Sequence, residues 1–260
     1  MFDFFALELF ILGAMLGSFA NVIIYRLPKG ESVVTPRSHC GLCKKTVAWY
    51  DNIPILSWFI LRGRCRHCQA KFSIRYPLVE LLMAVLFVMA YHYIGMNWYL
   101  LEVCIFIFSL VTASFIDIDH YILPDVLTLS GIVIGLIGAL INPERDFLNA
   151  VLGVLLGGGF LYAIAYFYFI IRKQEGMGGG DIKLLAWIGA VLGWKAIPFV
   201  IISSSLIGTV GGLFTAFRHK QGMQTVIPFG PYLALGAVLF LFGGESLASW
   251  YLHLFIPGLE

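Results

Sequence analysis

The stretch FFALELFILGAMLGSFANVIIY, residues 4–25, holds no basic residue and a single acid, Glu8. A helix rises about 1.5 Å per residue, so roughly 20 such residues cross a hydrocarbon core of about 30 Å. With Asp3 and Glu8 at its start and no basic segment before it, the stretch is expected to be a retained membrane span rather than a secretory signal. Eight apolar stretches of this kind, this one included, are expected, at about 4–24, 76–94, 98–116, 124–141, 148–171, 182–199, 201–217 and 231–255. Pro198 is almost the only break between the sixth and seventh. The whole chain agrees: 60% of its 260 residues are hydrophobic, 12% are charged, and the mean hydropathy is +0.88. Soluble domains carry roughly 25% charged residues. The expected fold class is an all-α polytopic membrane protein with about eight transmembrane helices.

Lys and Arg set the expected orientation. The loop from Arg26 to Arg75 holds ten of the 17 basic residues. The loops at Arg172–Lys173 and at Arg218–Lys220 are basic too, and all three fall on one side of an eight-span chain. The opposite loops, GMN at 95–97 and NPERDF at 142–147, carry one Arg between them. The positive-inside rule then puts the basic loops in the cytoplasm and the N-terminus outside. Lys195 lies near the outer end of the sixth span, where it is expected to snorkel to the interface. A division is expected between residues 1–96, with two spans and the large loop, and a bundle over 97–260.

That large loop, between the first two spans, contains CGLC at 40–43 and CRHC at 65–68, with 21 residues between the pairs. Two CxxC pairs at this spacing suit a tetrahedral zinc held by four thiolates, since each tight turn brings two sulfurs to one ion. Lys44, Lys45, Arg64 and Arg66 are expected to offset its negative charge. A four-thiolate site is coordinatively closed, so Cys40, Cys43, Cys65 and Cys68 are expected to be structural ligands. Two disulfides are the competing reading, disfavoured in a cytoplasmic loop. His39 and His67 flank the pairs as substitute ligands or as surface residues. Cys104, alone in a span, reads as a small apolar packer.

Carboxylates at a membrane edge are costly and mark functional sites. The third span ends in SFIDIDHYILPD, with Asp117, Asp119 and Asp125, and the sixth begins behind EGMGGGD, with Asp181. Both places are expected at the cytoplasmic ends of their helices. Two carboxyls that share a proton split their pKa values, which lets one act as base on water and the other as acid on a peptide carbonyl. No GxSxG or HExxH competes with that chemistry. Gly178, Gly179 and Gly180 are expected to supply positive φ and a close backbone approach. Asp181 also reads as a plain N-cap, and Asp125, after Pro124, as a plain helix-terminal acid. Asp117 and Asp119 are two apart and point to different faces of a helix, so one alone can face inward.

FIDIDHYILPDVLTL, followed by GMGGGDIKLLAWIGA, resembles the type IV prepilin peptidases, membrane aspartyl proteases of the GxGD class. GSFANVIIYRLP at 17–28, the two CxxC pairs, NIPILSW at 52–58 and RYPLVELL at 75–82 extend the resemblance over nearly the whole chain. It implies catalytic roles for Asp117 and Asp181, with Gly178, Gly180 and Asp125 as supporting motif residues. It also implies removal of the basic leader of prepilins and pseudopilins at the cytoplasmic face of the bacterial inner membrane. N-methylation of the new N-terminus from S-adenosylmethionine is implied as well. No GxGxxG or soluble methyltransferase domain is present, so methyl transfer is expected from the N-terminal part. Asp51 and Glu80 are its candidate residues, against readings as a surface charge and as a partner for Arg75. The glycines of GVLLGGG (153–159) and GTVGG (208–212) would admit a substrate helix or pack the protein's own helices.

The expected partners are prepilins or pseudopilins and the lipid bilayer, with no nucleic acid. Two other readings compete: an ion-coupled transporter, which would place acids on broken helices near the midplane, and a zinc-stabilised membrane assembly protein whose aspartates only cap helices.

Overall fold

The computed structural model describes residues 3–174, 176–219, 227–244 and 246, with side chains described as far as 213 in the second of these segments. The expected Lys220 and, at the end of the eighth stretch, residues 245 and 247–255 lie outside the described residues. The fold is all-helical. Among the described residues there is no strand, only two isolated bridges. The helices are α1 (Phe4–Arg26), a short α2 (Leu56–Ile60), α3 (Arg75–Ile94), α4 (Trp98–His120), α5 (Asp125–Ile141), α6 (Phe147–Arg172), α7 (Gly179–Leu192), α8 (Ala196–His219) and α9 (Gly230–Leu239).

Apart from α2, every helix answers to one apolar stretch of the sequence. Five of them are long and apolar enough to cross a membrane: α1, α3, α4, α6 and α8. The protein is therefore a multi-pass membrane protein. α5 and α9 are apolar but shorter. α7 has 14 residues, about 21 Å of helix, which falls short of a 30 Å core. Pro198 is not the break between the sixth and seventh stretches. The chain breaks earlier, at Gly193, whose φ of +81° ends α7 in a conformation that a side chain would strain. Pro198 lies in the first turn of α8, where its missing N–H costs nothing.

Chain contacts divide the protein into two compact units, Met1–Leu100 and Leu101–Glu260. In the first, α1 packs along α3 through small residues. A Cβ on Gly13 would come within 2.7 Å of the Ala84 Cα, and one on Gly17 within 2.6 Å of the Glu80 Cα. Close backbone approach of this kind is how helices associate where lipid removes the hydrophobic driving force.

The second unit is built around α7, in which every residue from Leu184 to Val191 is buried. Gly153 of α6 and Gly189 of α7 meet backbone to backbone, and a Cβ on Gly157 would sit 2.6 Å from the Leu185 carbonyl. Gly208 and Gly211 face Tyr232. These glycines pack the protein's own helices. The last carbonyls of a helix have no partner within it, and here Arg145 supplies one. Its Nη2 donates to the Ala190 and Val191 carbonyls at 2.5 and 2.9 Å, and its Nη1 donates to the Gly135 carbonyl at 3.0 Å and to the buried Glu102 carboxylate. The lone Arg of the NPERDF loop is thus tied down over the C-terminal end of α7.

Candidate active site

Three helix ends meet in the second unit. Asp117 lies in the last turn of α4 and is 5% exposed, whereas Asp119 on the same turn is exposed. The helical period separates the two, and Asp117 is the inward one. Its Oδ2 accepts a hydrogen bond from the Gly230 backbone N–H at 3.0 Å, in a fully buried contact. Asp181 is half-buried in the first turn of α7, and Leu123 links the two positions by packing against Gly180, next to Asp181, and against Gly230, which holds Asp117. No hydrogen bond holds the Asp181 carboxyl among the described residues. The structure therefore brings Asp117 and Asp181 together and leaves Asp119 outside.

The plain N-cap reading of Asp181 fails. Gly178 occupies the N-cap position and Asp181 is the third residue of the helix. The glycines before it meet one half of the expectation, close approach, and not the other. None of the three takes a positive φ, so conformational freedom is not what they supply. They supply space. A Cβ on Gly180 would lie 2.8 Å from the Leu123 Cβ, and Leu123 also fills the gap beside Gly230. Gly179 faces open space, and Gly178 has only the Asp181 carboxylate nearby. One side of the glycine run is thus sealed by Leu123 and the other stays open next to a carboxylate. Met177, Ile182 and Phe229 pack on the same core and keep the surroundings apolar.

Asp125 begins α5, directly after Pro124, and pairs with Lys183 of α7 at 2.6 Å. The pair is substantially exposed and joins the start of α5 to the start of α7. Gly230 is the site residue that sequence reading missed. The signal was there in the run FGPY at 229–232, since a Gly-Pro step at the start of a helix marks a place where the backbone comes close to something.

The first unit holds the four cysteines. Their Sγ atoms all lie within 4.8 Å of one another, with Cys40 and Cys68 at 3.6 Å, and no disulfide joins them. Each pair sits in the same knuckle. The Cys40 N–H donates to the Lys45 carbonyl at 2.9 Å and the Lys44 N–H returns to the Cys40 carbonyl at 2.9 Å. The Cys65 N–H likewise donates to Ala70 at 2.8 Å and the Gln69 N–H to Cys65 at 3.0 Å. Lys44 and Gln69 both take positive φ, 57° and 58°. Backbone hydrogen bonds from Cys43 and Leu42 lower the Cys40 pKa to about 6, so this thiol is ionised at neutral pH. Against a backbone hydrogen bond from Ala70 that lowers it, desolvation and then the other three sulfurs push Cys68 up to about 11. Four converging sulfurs, one already a thiolate, fit a thiophilic metal ion. His39 and His67 are exposed and lie outside the sulfur cluster. Cys104 is buried alone in α4.

Asp51 and Glu80 are both engaged. The Arg66 guanidinium grips Asp51 with Nε at 2.8 Å and Nη2 at 2.6 Å, and this pairing holds the Asp51 carboxyl below the usual range. Arg66 therefore answers a carboxylate beside the second knuckle. Glu80, buried on α3, accepts the Ile55 N–H at 2.7 Å. Both line a broad open cavity of about 1180 Å³ formed by α1, α3 and the loop between them.

Residues 104–213 match the type IV leader peptidase family, and residues 11–94 match the bacterial peptidase A24 N-terminal domain. Curated relatives named prepilin leader peptidase/N-methyltransferase include a protein of Aeromonas salmonicida strain A449, 38% identical over 94% of this chain and 92% of its own. One from Legionella pneumophila is 37% identical over 91% and 90%, and one from Pseudomonas aeruginosa 34% over 96% and 94%. No solved structure matches. The pairing of a buried aspartate on α4 with a second one behind the glycines of α7 falls within the matched region, and the chain belongs to the type IV leader peptidase family.

Proposed function

We propose that this protein is a prepilin leader peptidase that also N-methylates the N-terminus it exposes, with Asp117 and Asp181 as the catalytic pair. The observation that carries the peptidase reading is the meeting of these two carboxyls, one of them held by a buried amide. Two carboxylates this close cannot both ionise easily, and a hydrogen bond to a carboxylate favours its charged form. Asp117, held by the Gly230 amide, is assigned the role of base, and Asp181, which accepts no hydrogen bond among the described residues, the role of acid. Asp117 then takes a proton from water as that water attacks the scissile carbonyl. Asp181 gives its proton to the carbonyl oxygen; as the tetrahedral intermediate collapses, Asp117 passes its proton to the leaving amine and Asp181 recovers one from the gem-diol hydroxyl. The open side of Gly178 and Gly179 is where an extended substrate backbone would lie. Gly180, Leu123 and Gly230 support the pair from behind, and the Asp125–Lys183 pair steadies the two helix starts.

The division of labour proposed for the chain assigns peptidase chemistry to residues 97–260 and methyl transfer to residues 1–96. S-adenosylmethionine would supply an electrophilic methyl group to the new α-amine. The cavity lined by Asp51 and Glu80 has room for a ligand of that size, and those two acids are the candidates for binding it or orienting the amine. Zinc is the metal proposed for Cys40, Cys43, Cys65 and Cys68, in a structural role. The topology proposed has eight spans, with α5, α7 and α9 completing the five longer helices. It sits in the bacterial inner membrane with the N-terminus outside and the active site at the cytoplasmic face. Asp117 and Asp181 lie at helix ends, which suits a scissile bond at the membrane surface and disfavours the transporter reading.

The test is cleavage of a purified prepilin by the protein in lipid. Asp117→Asn and Asp181→Asn should each abolish leader removal while leaving the helical content unchanged. Full cleavage by either variant contradicts the assignment. Transfer of labelled methyl from S-adenosylmethionine to the cleaved product tests the second activity.

A further inference from the structure

The loop between α1 and α3 carries a cluster of exposed apolar side chains outside the sulfur cluster; Trp49 at its edge also borders the cavity, and Leu56, Phe59 and Ile60 do not line it. Trp49 is 81% exposed, Leu56 59%, Phe59 62% and Ile60 71%. They belong to one folded turn. Residues 49–52 form a 3-10 helix, α2 follows at once, and the buried Ser57 hydroxyl donates to the Tyr50 carbonyl at 3.0 Å, clasping the two. α2 is two-faced. Ser57 is buried, and the Trp58 indole N–H donates inward to the Phe72 carbonyl at 3.3 Å, while Leu56, Phe59 and Ile60 point away.

The height of this turn is fixed by one hydrogen bond. Ile55, which opens α2, has φ +62°, a conformation that a β-branched residue rarely adopts. Its N–H is held at 2.7 Å by Glu80. α3 is a candidate membrane span that begins at Arg75, so Glu80 lies five residues along it, about 7–8 Å beyond its basic start. α1, the preceding span, ends correspondingly at Arg26, and its Asn21 side chain donates to the Tyr76 carbonyl at 3.1 Å. Residues 53–60 are therefore tied to α3 between one and two turns beyond the start of that candidate span.

We propose that this turn is a membrane-interface anchor that seats Trp49, Leu56, Phe59 and Ile60 in the headgroup–acyl boundary of an anionic leaflet. Tryptophan and short amphipathic helices favour that layer. Charge complementarity selects the lipid. From Arg26 to Arg75 there are ten Lys and Arg against two acids, Glu31 and Asp51, and Asp51 is already paired with Arg66. A basic surface fastened at both ends to one membrane face is attracted to anionic headgroups. The anchor fixes the loop, with its knuckles and cavity, against the bilayer. It does not depend on what reaction the cavity serves.

The test uses the full chain in lipid nanodiscs containing lipids brominated near the top of the acyl chain. The fluorescence difference between the protein and its Trp49→Phe variant isolates one of six tryptophans. That difference should be quenched at least twofold by the brominated lipid, and more strongly with 30% phosphatidylglycerol than with phosphatidylcholine alone. A Phe59→Asp/Ile60→Asp variant that keeps its bound metal should lose at least half of the quenching. Trp49 emission that ignores brominated lipid but is fully reached by aqueous iodide overturns the proposal. Equal quenching in anionic and zwitterionic discs overturns the lipid selectivity. Quenching that vanishes when a prepilin is added assigns the face to the substrate helix instead and also overturns it.

Discussion

The four-cysteine loop and the aspartate pair bring reactive side chains together in opposite ways. In the loop, each knuckle is closed by hydrogen bonds spanning four or five residues, from Cys40 to Lys45 and from Cys65 to Ala70. Its geometry is local and repeated. The aspartate pair has no local logic: Asp117 and Asp181 are 64 residues apart, and the amide that holds Asp117 comes from Gly230, 113 residues away. Its geometry rests on helix packing, through contacts such as Gly153 on Gly189 and Leu123 between Gly180 and Gly230. A local site tolerates changes elsewhere in the chain and fails when its own ligands change. An assembled site fails through residues that do no chemistry.

That contrast can be broken by experiment. Cys40→Ser with Cys43→Ser should remove all bound metal, measured by elemental analysis of purified protein, and should raise proteolytic nicking between residues 37 and 73. Retained metal would show that the knuckle is not the site. Gly230→Ala places a Cβ 2.7 Å from the Asp117 carboxylate. A displacement of this kind at a reacting group costs about a hundredfold, so kcat for leader removal should fall by about that factor with metal content unchanged. A variant with normal cleavage would show that the Gly230 contact is incidental.

Acid should empty the knuckle. Cys40 is lowered to about 6, so its thiolate is present above that pH and is lost as pH falls through it. Metal affinity, read with a competing chelator, should therefore decline steeply below pH 6 and continue to rise above neutrality, where Cys68 loses its proton more readily. The smallest effect expected is that of Lys183→Ala. The Asp125–Lys183 pair is exposed enough for solvent to screen it, and such pairs contribute about 0–1 kcal/mol. Cleavage should change by less than about fivefold.

What the sequence revealed follows the same division. The CxxC spacing made the sulfur cluster readable because its determinants lie within a few residues. Apolar length located every long helix, since a span announces itself by composition alone. Depth and partnership were not readable. Nothing in the apolarity of 182–199 distinguishes burial in protein from burial in lipid, so the length of α7 and its end at Gly193 are not legible there, and Pro198 is the more visible break. For the glycines before Asp181 the run itself suggests both positive φ and close approach, and only the packing of Leu123 on Gly180 shows that the steric role is the one used. Glu102 and Arg145 form a buried pair that closes α7, yet each sits among apolar or loop residues that give no sign of the other. The choice of Asp117 over Asp119 rests in the sequence on the family resemblance, since two acids two apart do not themselves say which faces inward; the structure adds that orientation.

The central claim is that Asp117 and Asp181 act as one pair and that Asp119 stands outside it. The most direct measurement is leader removal from a purified prepilin by Asp117→Asn, Asp119→Asn and Asp181→Asn side by side in the same lipid. The account predicts no detectable cleavage by the Asp117 and Asp181 variants and near-normal cleavage by the Asp119 variant. Cleavage that survives Asp117→Asn and is lost in Asp119→Asn would contradict it.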